Sequence, residues 1–395
     1  MVAIGVPGTP RLLRELNDRA ALELLLALGP LTRARLGELT GLSKVTASQL
    51  VERLEHCGLV SRVGERAGGR GPNAQLYAVR PDSAHVVGVD VRADRAIAAC
   101  ADITGAVVGR SEQPTRDTAD PVAGVHRAIV EAAGAAGITT AAVRRTVLGT
   151  PGQIHPRTGD LTYAWDLPGW HRDLLTGLRA RLDTPVVLVN DVNLAAVAEA
   201  DTGVARGVDD FVLVWIGHGV GLAAVLGGRL HVGAAGAAGE IGYLPVPGAP
   251  VPGSTTWGFR RSAQSAFQGL AGADAIRAGG REYGFDGTDA ADVVRVAVAA
   301  GPPGHAFLDE VARRLSLGVA AACAVLDPPL VVLAGAVGQA GGEAVTRRIA
   351  REVAAITLCA ARVEPSGVPA DPVLHGALRT ALDAVRDEVF GSTTR

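Results

Sequence analysis

The sequence has no uncharged apolar run long enough to span a bilayer, although 48 % of its 395 residues are hydrophobic; a membrane-spanning chain is therefore not expected. Its first residues carry prolines and a glycine instead of a basic stretch followed by an apolar one, so no signal peptide is expected. Cysteine is scarce. The four thiols (Cys57, Cys100, Cys323, Cys359) lie far apart and form no Cys-x-x-Cys, which argues against a disulfide framework and against a zinc knuckle. A cytoplasmic protein with reduced, partly buried thiols is expected. A large net charge is missing too, the total being -2, but this small number hides an asymmetry. Residues 1–80 hold eleven Lys/Arg against seven Asp/Glu, whereas the remainder holds 27 against 33. A basic head on an acidic body suits a nucleic-acid-binding module attached to something that should not stick to DNA.

Within the head, Leu12, Leu13, Leu16, Ala20 and Leu24 recur at helical spacing up to Gly29-Pro30, a helix-ending pair. Thr32 can cap a second short helix carrying Leu36 and Leu39 and ending at Gly41. Ser43 stands where an N-cap is needed for a third helix, roughly Lys44 to His56, in which Ala47, Leu50, Val51 and Leu54 define a core face. Lys44, Val45, Thr46, Ser48, Gln49 and Arg53 fall on or near the other face. Two helices joined by a short glycine-containing turn describe a helix-turn-helix. Two strand-like runs follow, Leu59 to Val63 and Gln75 to Val79, around the glycine-rich stretch Gly64 to Pro72. That is a hairpin with a basic tip, a wing. In such a module the third helix enters the major groove of duplex DNA, and Arg66 and Arg70 contact phosphates or a narrow minor groove. The plainer alternative is a small packing or dimerisation domain, although a packing hairpin has no need of its arginines.

After Pro81 strands alternate with alanine-rich helices: Val86 to Val91, Ala96 to Ala101, Ala106 to Gly109, Val143 to Leu148, Val186 to Val189, Phe211 to Ile216 and Leu330 to Ala334. An α/β fold is expected. Polar and small residues cluster just after strand ends, where open α/β sheets hold ligands. These clusters are Gly149 to Gly152, Asp166 to Trp170, Asn190 to Asn193, Gly217 to Gly221 and Gly239 to Tyr243. Carboxylates and amides on converging loops suit a hydroxyl-rich ligand. Each cluster also has a structural reading: Asn190-Asp191 as a helix cap, Glu240 as a surface ion pair, Trp170 as a core side chain.

These residues resemble the ROK family (repressors, open reading frames and kinases) from about Leu12 to Leu382. The resemblance rests on GPLTRARLGELTGLSKVTASQLVERLEHCGLV, LGTPGQIHPRTGDLTYAWDLPGW, VVLVNDVNLAAVAEA, GEIGY and DPPLVVLAGAVG, in the family's order. It implies a winged helix over residues 1–80 and an actin-like, ribonuclease-H-like kinase fold over 81–395. The first lobe would cover about 81–200 plus a C-terminal helix at 373–390, and the second about 201–372. It further implies a sugar in the cleft and a homodimer or homotetramer.

Three departures from the family pattern separate this chain from its kinases. Where those kinases carry Asp-x-Gly-Gly-Thr, this chain reads Asp90-Val91-Arg92-Ala93-Asp94-Arg95, so side chains replace the glycines that admit nucleotide phosphates. ATP is not expected as a cofactor. The positions of the family's zinc ligands fall on Tyr243, Thr255, Trp257 and Ser262, so no metal is expected. The sugar positions are kept at Asn190, Asp191 and Glu240, changed at Asp166, Tyr243 and Gln264, and joined by Gly152 of the TPGQ turn. The resulting expectation is a non-enzymatic, ligand-responsive transcriptional regulator, a repressor, that binds double-stranded operator DNA and senses a sugar or sugar derivative. The alternatives are an active sugar kinase with an appended DNA-binding domain and a regulator without ligand control.

Overall fold

The computed structural model describes residues 9–66, 73–92, 94–116, 118–163, 170, 173–248, 266–368 and 370–391. Helix α1 (Pro10–Leu28) opens on proline, tolerated there because the first helical N–H needs no partner, and Thr9 caps it by accepting from Leu12 N. Strand β1 (Leu31–Thr32) leads into α2 (Arg33–Thr40), capped by Thr32 and stopped by Gly41 in the left-handed region. Helix α3 (Lys44–His56) starts on the Ser43 cap and buries Ala47, Leu50, Val51 and Leu54, as the spacing predicts. Strands β2 (Val60–Arg66) and β3 (Ala74–Val79) form a hairpin to which β1 adds on the free side of β3, giving the order β1-β3-β2. Two expectations change here. Gly64, Glu65 and Arg66 belong to the strand instead of the loop. The buried stripe of α1 is Asp18, Ala21, Leu22 and Leu25, leaving Leu13 and Leu16 more than half exposed. Within this stripe Asp18 faces Arg53 of α3, whose Nε donates to its Oδ2 at 2.9 Å.

The body is built on two five-stranded sheets. The first has the order β10-β7-β4-β5-β6. Its strands are β4 (His85–Val91), β5 (Arg95–Asp102), β6 (Val107–Pro114), β7 (Val143–Thr150) and β10 (Val186–Asn190). The meander β4-β5-β6 is antiparallel, and β7 and β10 add in parallel. Helix α4 (Pro121–Ala135), the small hairpin of β8 (Gln153–Ile154) and β9 (Leu161–Tyr163), and α5 (Leu174–Arg179) belong to this half. Helix α6 (Asp191–Thr202) leaves it.

The second sheet has the order β13-β12-β11-β14-β15. It uses β11 (Phe211–Ile216), β12 (Val220–Leu226), β13 (Arg229–His231), β14 (Leu330–Ala334) and β15 (Arg362–Pro365). Its outer helices are α7 (Phe267–Ala271), α8 (Ala273–Glu282), α9 (Ala290–Ala299), α10 (His305–Leu326) and α11 (Gly335–Ile356), the last broken at Gly342. The Gly217–Gly221 cluster, expected just after a strand end, runs into β12, a strand that the sequence does not predict.

Helix α12 (Pro372–Phe390) returns to the first sheet. Its residues Ala377, Ala381 and Val385 share one buried cluster with Val86 and Ala99 of that sheet. Helix α6 lies beside it and sends Val192, Ala195 and Ala196 to the second sheet. Gly376 permits this closeness, since a Cβ there would collide with the Leu194 backbone of α6. The two helices form the middle layer between the sheets. The same cluster extends to Ala21, Leu22 and Leu25 of α1 and to Tyr77 of the hairpin. The head and the first sheet therefore share one continuous core.

Candidate ligand cleft and nucleic-acid interface

A cavity of about 590 Å³ opens at the C-terminal ends of β4, β7 and β10, the strand ends that carry ligands in open α/β sheets. The first half contributes Asp90, Arg92, Gly152, Asn190 and Asp191; the second contributes Trp215, the Gly217–Leu222 hairpin, Glu240 and Gln339. Gly152, Asn190, Asp191 and Glu240 are thus brought together as the sequence predicts. Tyr243 sits on the same turn as Glu240 and is not among the residues that line the cavity. Asp166, Thr255, Trp257, Ser262 and Gln264 lie outside the described residues. Trp170 packs half-buried against the α4 side of the first sheet. Among the described residues, no group of three or more His, Cys, Asp or Glu is placed to hold a metal ion.

The two neighbouring polar residues divide their tasks. Asn190 is the α6 cap: its Oδ1 accepts from Asn193 N at 3.1 Å and its Nδ2 donates to Gly152 O at 3.1 Å. Asp191 is the first helical residue, and its Oδ1 accepts from Val192 N at 2.9 Å. Burial pushes its carboxyl up to about 7; the Val192 N–H opposes this, and the Asp90 and Glu240 carboxylates reinforce it. Burial also raises the Glu240 and Asp90 carboxyls, the latter even though Arg92 lies beside it.

Arg92 is the residue that sequence reading undervalued. Its Nη2 lies 2.6 Å from Asp90 Oδ2 and 3.2 Å from Asp371 Oδ1, and Arg110 holds the other Asp371 oxygen at 2.7 Å. Arg92 is the first residue past β4, in the turn into β5, close enough in sequence for its guanidinium to reach back to Asp90. Asp371, 281 positions away from Asp90 in sequence, gave no such sign.

On the head, Ser43 and Thr46 engage each other, the Thr46 N–H donating to Ser43 Oγ at 3.2 Å and the two hydroxyls lying 2.9 Å apart. Lys44, Val45, Thr46 and Gln49 are exposed and Ser48 half-buried, making one contiguous face at the start of α3. Val45 is 67 % exposed. Lys44 is the single lysine of the chain. Arg53 does not belong to that face: its Nε donates to Asp18 Oδ2 at 2.9 Å and its Nη2 to Asp18 Oδ1. This corrects its assignment to DNA. Arg66 is exposed at the end of β2, opposite Ala74, and Arg70 lies outside the described residues.

A family model described as the ROK family matches residues 86–379, and one described as the MarR family matches residues 15–71. The xylose repressor of Bacillus subtilis (strain 168) is 24 % identical over 245 residues, which make up 59 % of this chain and 61 % of that protein. The match thus spans about three fifths of that relative's length. Among solved structures, a ROK family transcriptional regulator described as a homologue of the E. coli MLC protein superposes with a TM-score of 0.73 at 18 % identity, covering 96 % of this chain and 99 % of that one. The ROK hexokinase from Thermus thermophilus superposes with a TM-score of 0.62 at 26 % identity, covering 77 % and 100 %. These likenesses show the fold: a winged helix followed by a two-lobed, sugar-kinase-like body. Regulators and kinases both occur among the similar proteins.

Proposed function

The chain belongs to the ROK family, and from that premise we propose that it is a ligand-responsive repressor whose winged helix, residues 1–80, binds an operator duplex and whose body, residues 81–395, senses a sugar or sugar derivative without phosphorylating it. One observation carries this reading. Helix α12 begins at the cavity, where Asp371, Pro372 and Val373 line the wall. It ends against the head, where Asp387 Oδ1 meets Arg19 Nη2 of α1 at 2.6 Å. At 1.5 Å per residue its 19 residues span about 28 Å. A change in the angle between the two sheets therefore reaches α1 through one rigid element in a continuous core. Two heads of a dimer must present their α3 helices about one DNA turn, roughly 34 Å, apart, so a modest rotation breaks the fit. A ligand shifts the equilibrium only by its preference for one of the two arrangements.

The absence of phosphoryl transfer from this reading is supported by Arg92, whose side chain is anchored across the cleft mouth by Asp90 and Asp371. A kinase reading would predict ADP release with some sugar, which a coupled assay over a sugar panel checks.

The reading is tested through Lys44. Duplexes are selected from random sequence with the full chain, and amine-directed labelling is read at this single lysine. Binding of the selected duplex should shield Lys44, and one sugar of a panel should change duplex affinity. Selection of no common sequence, or unchanged labelling of Lys44 in the bound state, would refute the assignment of α3.

A further inference from the structure

We infer that Asn193 and Trp215 are a specificity-determining pair in the cleft: the Asn193 carboxamide takes a hydroxyl of the ligand, and the Trp215 indole N–H takes an oxygen of the same molecule. This rests on the cleft being the sensor site proposed above, and it goes further by naming the residues that choose among uncharged sugars.

The start of α6 holds two asparagines with opposite fates. Asn190 has both ends of its carboxamide engaged, by Asn193 N and by Gly152 O. Asn193 lines the cavity and is 7 % exposed, yet its Oδ1 is buried without a hydrogen-bond partner and its Nδ2 donates to no described residue. An unpaired buried carboxamide is costly, and folded proteins leave few of them without a water or a ligand to meet. The helix itself has no need of this one. The cap on α6 is completed by the Asn193 backbone N–H, and the side chain takes no part in it.

Trp215 is the last but one residue of β11, paired with Gly221 on one side and Ala334 on the other. Half-buried, it packs on clusters that hold Val192, Leu194 and Val373. Two of these flank Asn193 on α6 and the third begins α12, so indole and carboxamide share the wall where the middle layer meets the second sheet. The indole N–H also lacks an acceptor among the described residues. Gly217 keeps it open. A Cβ there would stand 2.9 Å from Trp215 Nε1 and 3.6 and 3.7 Å from the ring carbons on either side of it. Gly217 is not among the glycines with positive φ, so clearance and not backbone conformation is what calls for glycine.

A carboxamide offers both acceptor and donors, and a hydroxyl can answer it in either sense; an indole N–H asks only for an oxygen. The pair therefore suits an uncharged, hydroxyl-bearing ring. A site built around such a hydroxyl rejects the analogue that lacks it, because its own buried polar group is then left unpaired.

The experiment is calorimetric titration of the full chain with glucose, mannose, galactose and xylose, then with the singly deoxygenated analogues of whichever sugar binds. Thermal unfolding and duplex affinity are measured beside each titration. One deoxy analogue should bind the wild type about tenfold or more weaker than its parent. Asn193→Leu should bind that analogue and the parent alike, within about twofold, and both more weakly than the wild type binds the parent. It should also unfold at the wild-type temperature or above, since an apolar group of similar size replaces an unpaired polar one. Asn193→Ala is run with it, so that overpacking by leucine does not decide the result. Trp215→Phe keeps an aromatic ring without the N–H, and Gly217→Ala closes the approach to it; each should weaken the parent about threefold or more. A deoxy penalty that survives in both Asn193 variants overturns the inference. So do Asn193 variants that unfold well below the wild type yet keep full sugar affinity, which would make the asparagine structural. Unchanged affinity in Trp215→Phe and Gly217→Ala overturns its second half. If a sugar binds and alters duplex affinity equally in the wild type and every variant, the sensor reading stands and this inference alone fails. If no sugar binds the wild type or alters its duplex affinity, both fail.

Discussion

Asp18 of α1 is fully buried, and both of its oxygens are taken by Arg53 of α3, which keeps about a quarter of its side chain in solvent. The pair fixes the angle between the first and third helices, and thereby the direction in which Lys44 to Gln49 project. It is an asymmetric pair. Arg53→Ala strands a buried carboxylate, whereas Asp18→Ala leaves a cation that can turn to water. Arg53→Ala should therefore cost more of the head's stability, about 3–5 kcal/mol against about 1–3 for Asp18→Ala. Asp18→Leu with Arg53→Met together should recover most of the loss. Denaturant unfolding of the full chain, followed by circular dichroism, checks the order; equal costs would mean the pair is solvent-screened.

The exposed start of α3 makes a second expectation. Lys44→Ala should lower the slope of log affinity against log salt by about 0.9, the signature of one lost phosphate contact, with little change in sequence preference. Val45, two-thirds exposed and apolar, is suited to a thymine methyl in the major groove. Replacing single thymines by deoxyuracil in the selected duplex should weaken wild-type binding at one position of each half-site. The same replacement should cost Val45→Ala nothing. Gln49→Ala should relax base preference by about 1–3 kcal/mol at a neighbouring position.

The helices of the head were legible because their signals are local, whereas β2 runs three residues further than expected and β1 carried no signal. Thr32, Ser43 and Gly41 cap or stop helices where the chain says they should, and the four core positions of α3 are set by period alone. The spacing of Leu13 and Leu16 marks α1 as a helix without telling which residues it buries, and the buried stripe includes Asp18, whose partner Arg53 lies on another helix. In the body, the buried parallel strands read well as apolar runs, and Asn190, Asp191 and Glu240 were found from strand ends. Asp371, Gln339 and Glu199 were missed. Each acts through a partner far away in sequence, and nothing nearby distinguishes it from an ordinary polar residue.

Asp191 links stability to pH. Its carboxyl is raised from 3.8 to about 7 in the folded chain, so the folded state holds this proton more tightly than the unfolded state. That contribution is complete below about pH 3.8 and is lost as pH rises toward about 7, at about 1.4 kcal/mol per unit between the two values. Asp191→Asn carries no such charge. It should flatten this part of the profile and stabilise the chain at pH 8, while weakening sugar binding. Urea unfolding at intervals from pH 5 to 8 measures the slope; an identical slope in wild type and variant would contradict the assignment.

Glu199 provides the last prediction. It is a fully buried carboxylate on α6, held by backbone N–H groups and one hydroxyl. One oxygen accepts from Val204 N at 3.0 Å and Gly367 N at 3.3 Å; the other accepts from Val368 N at 3.2 Å and the Ser366 hydroxyl. Residues 203–210 lead from α6 into the second sheet, and Ser366, Gly367 and Val368 follow β15 on the way back toward α12. Glu199 therefore clasps both crossings. Val368 is also held from the other side, where its carbonyl accepts from Nε2 of Gln339, a residue of the cavity wall, at 3.3 Å. Any ligand that pulls on Gln339 thus strains a crossing that Glu199 keeps registered with α6, and α6 packs on α12. Glu199→Gln retains one acceptor oxygen, leaves a backbone N–H unpaired and should cost about 1–3 kcal/mol. A purely structural role would stop there, with ligand and duplex affinities moving together. A clasp that transmits occupancy should leave each affinity, measured alone, within about threefold, yet reduce the ligand's effect on duplex binding toward unity, a coupling normally about 1–3 kcal/mol. Duplex titrations with and without saturating sugar give that coupling directly. Full coupling in a stable Glu199→Gln would show that the signal bypasses the crossings.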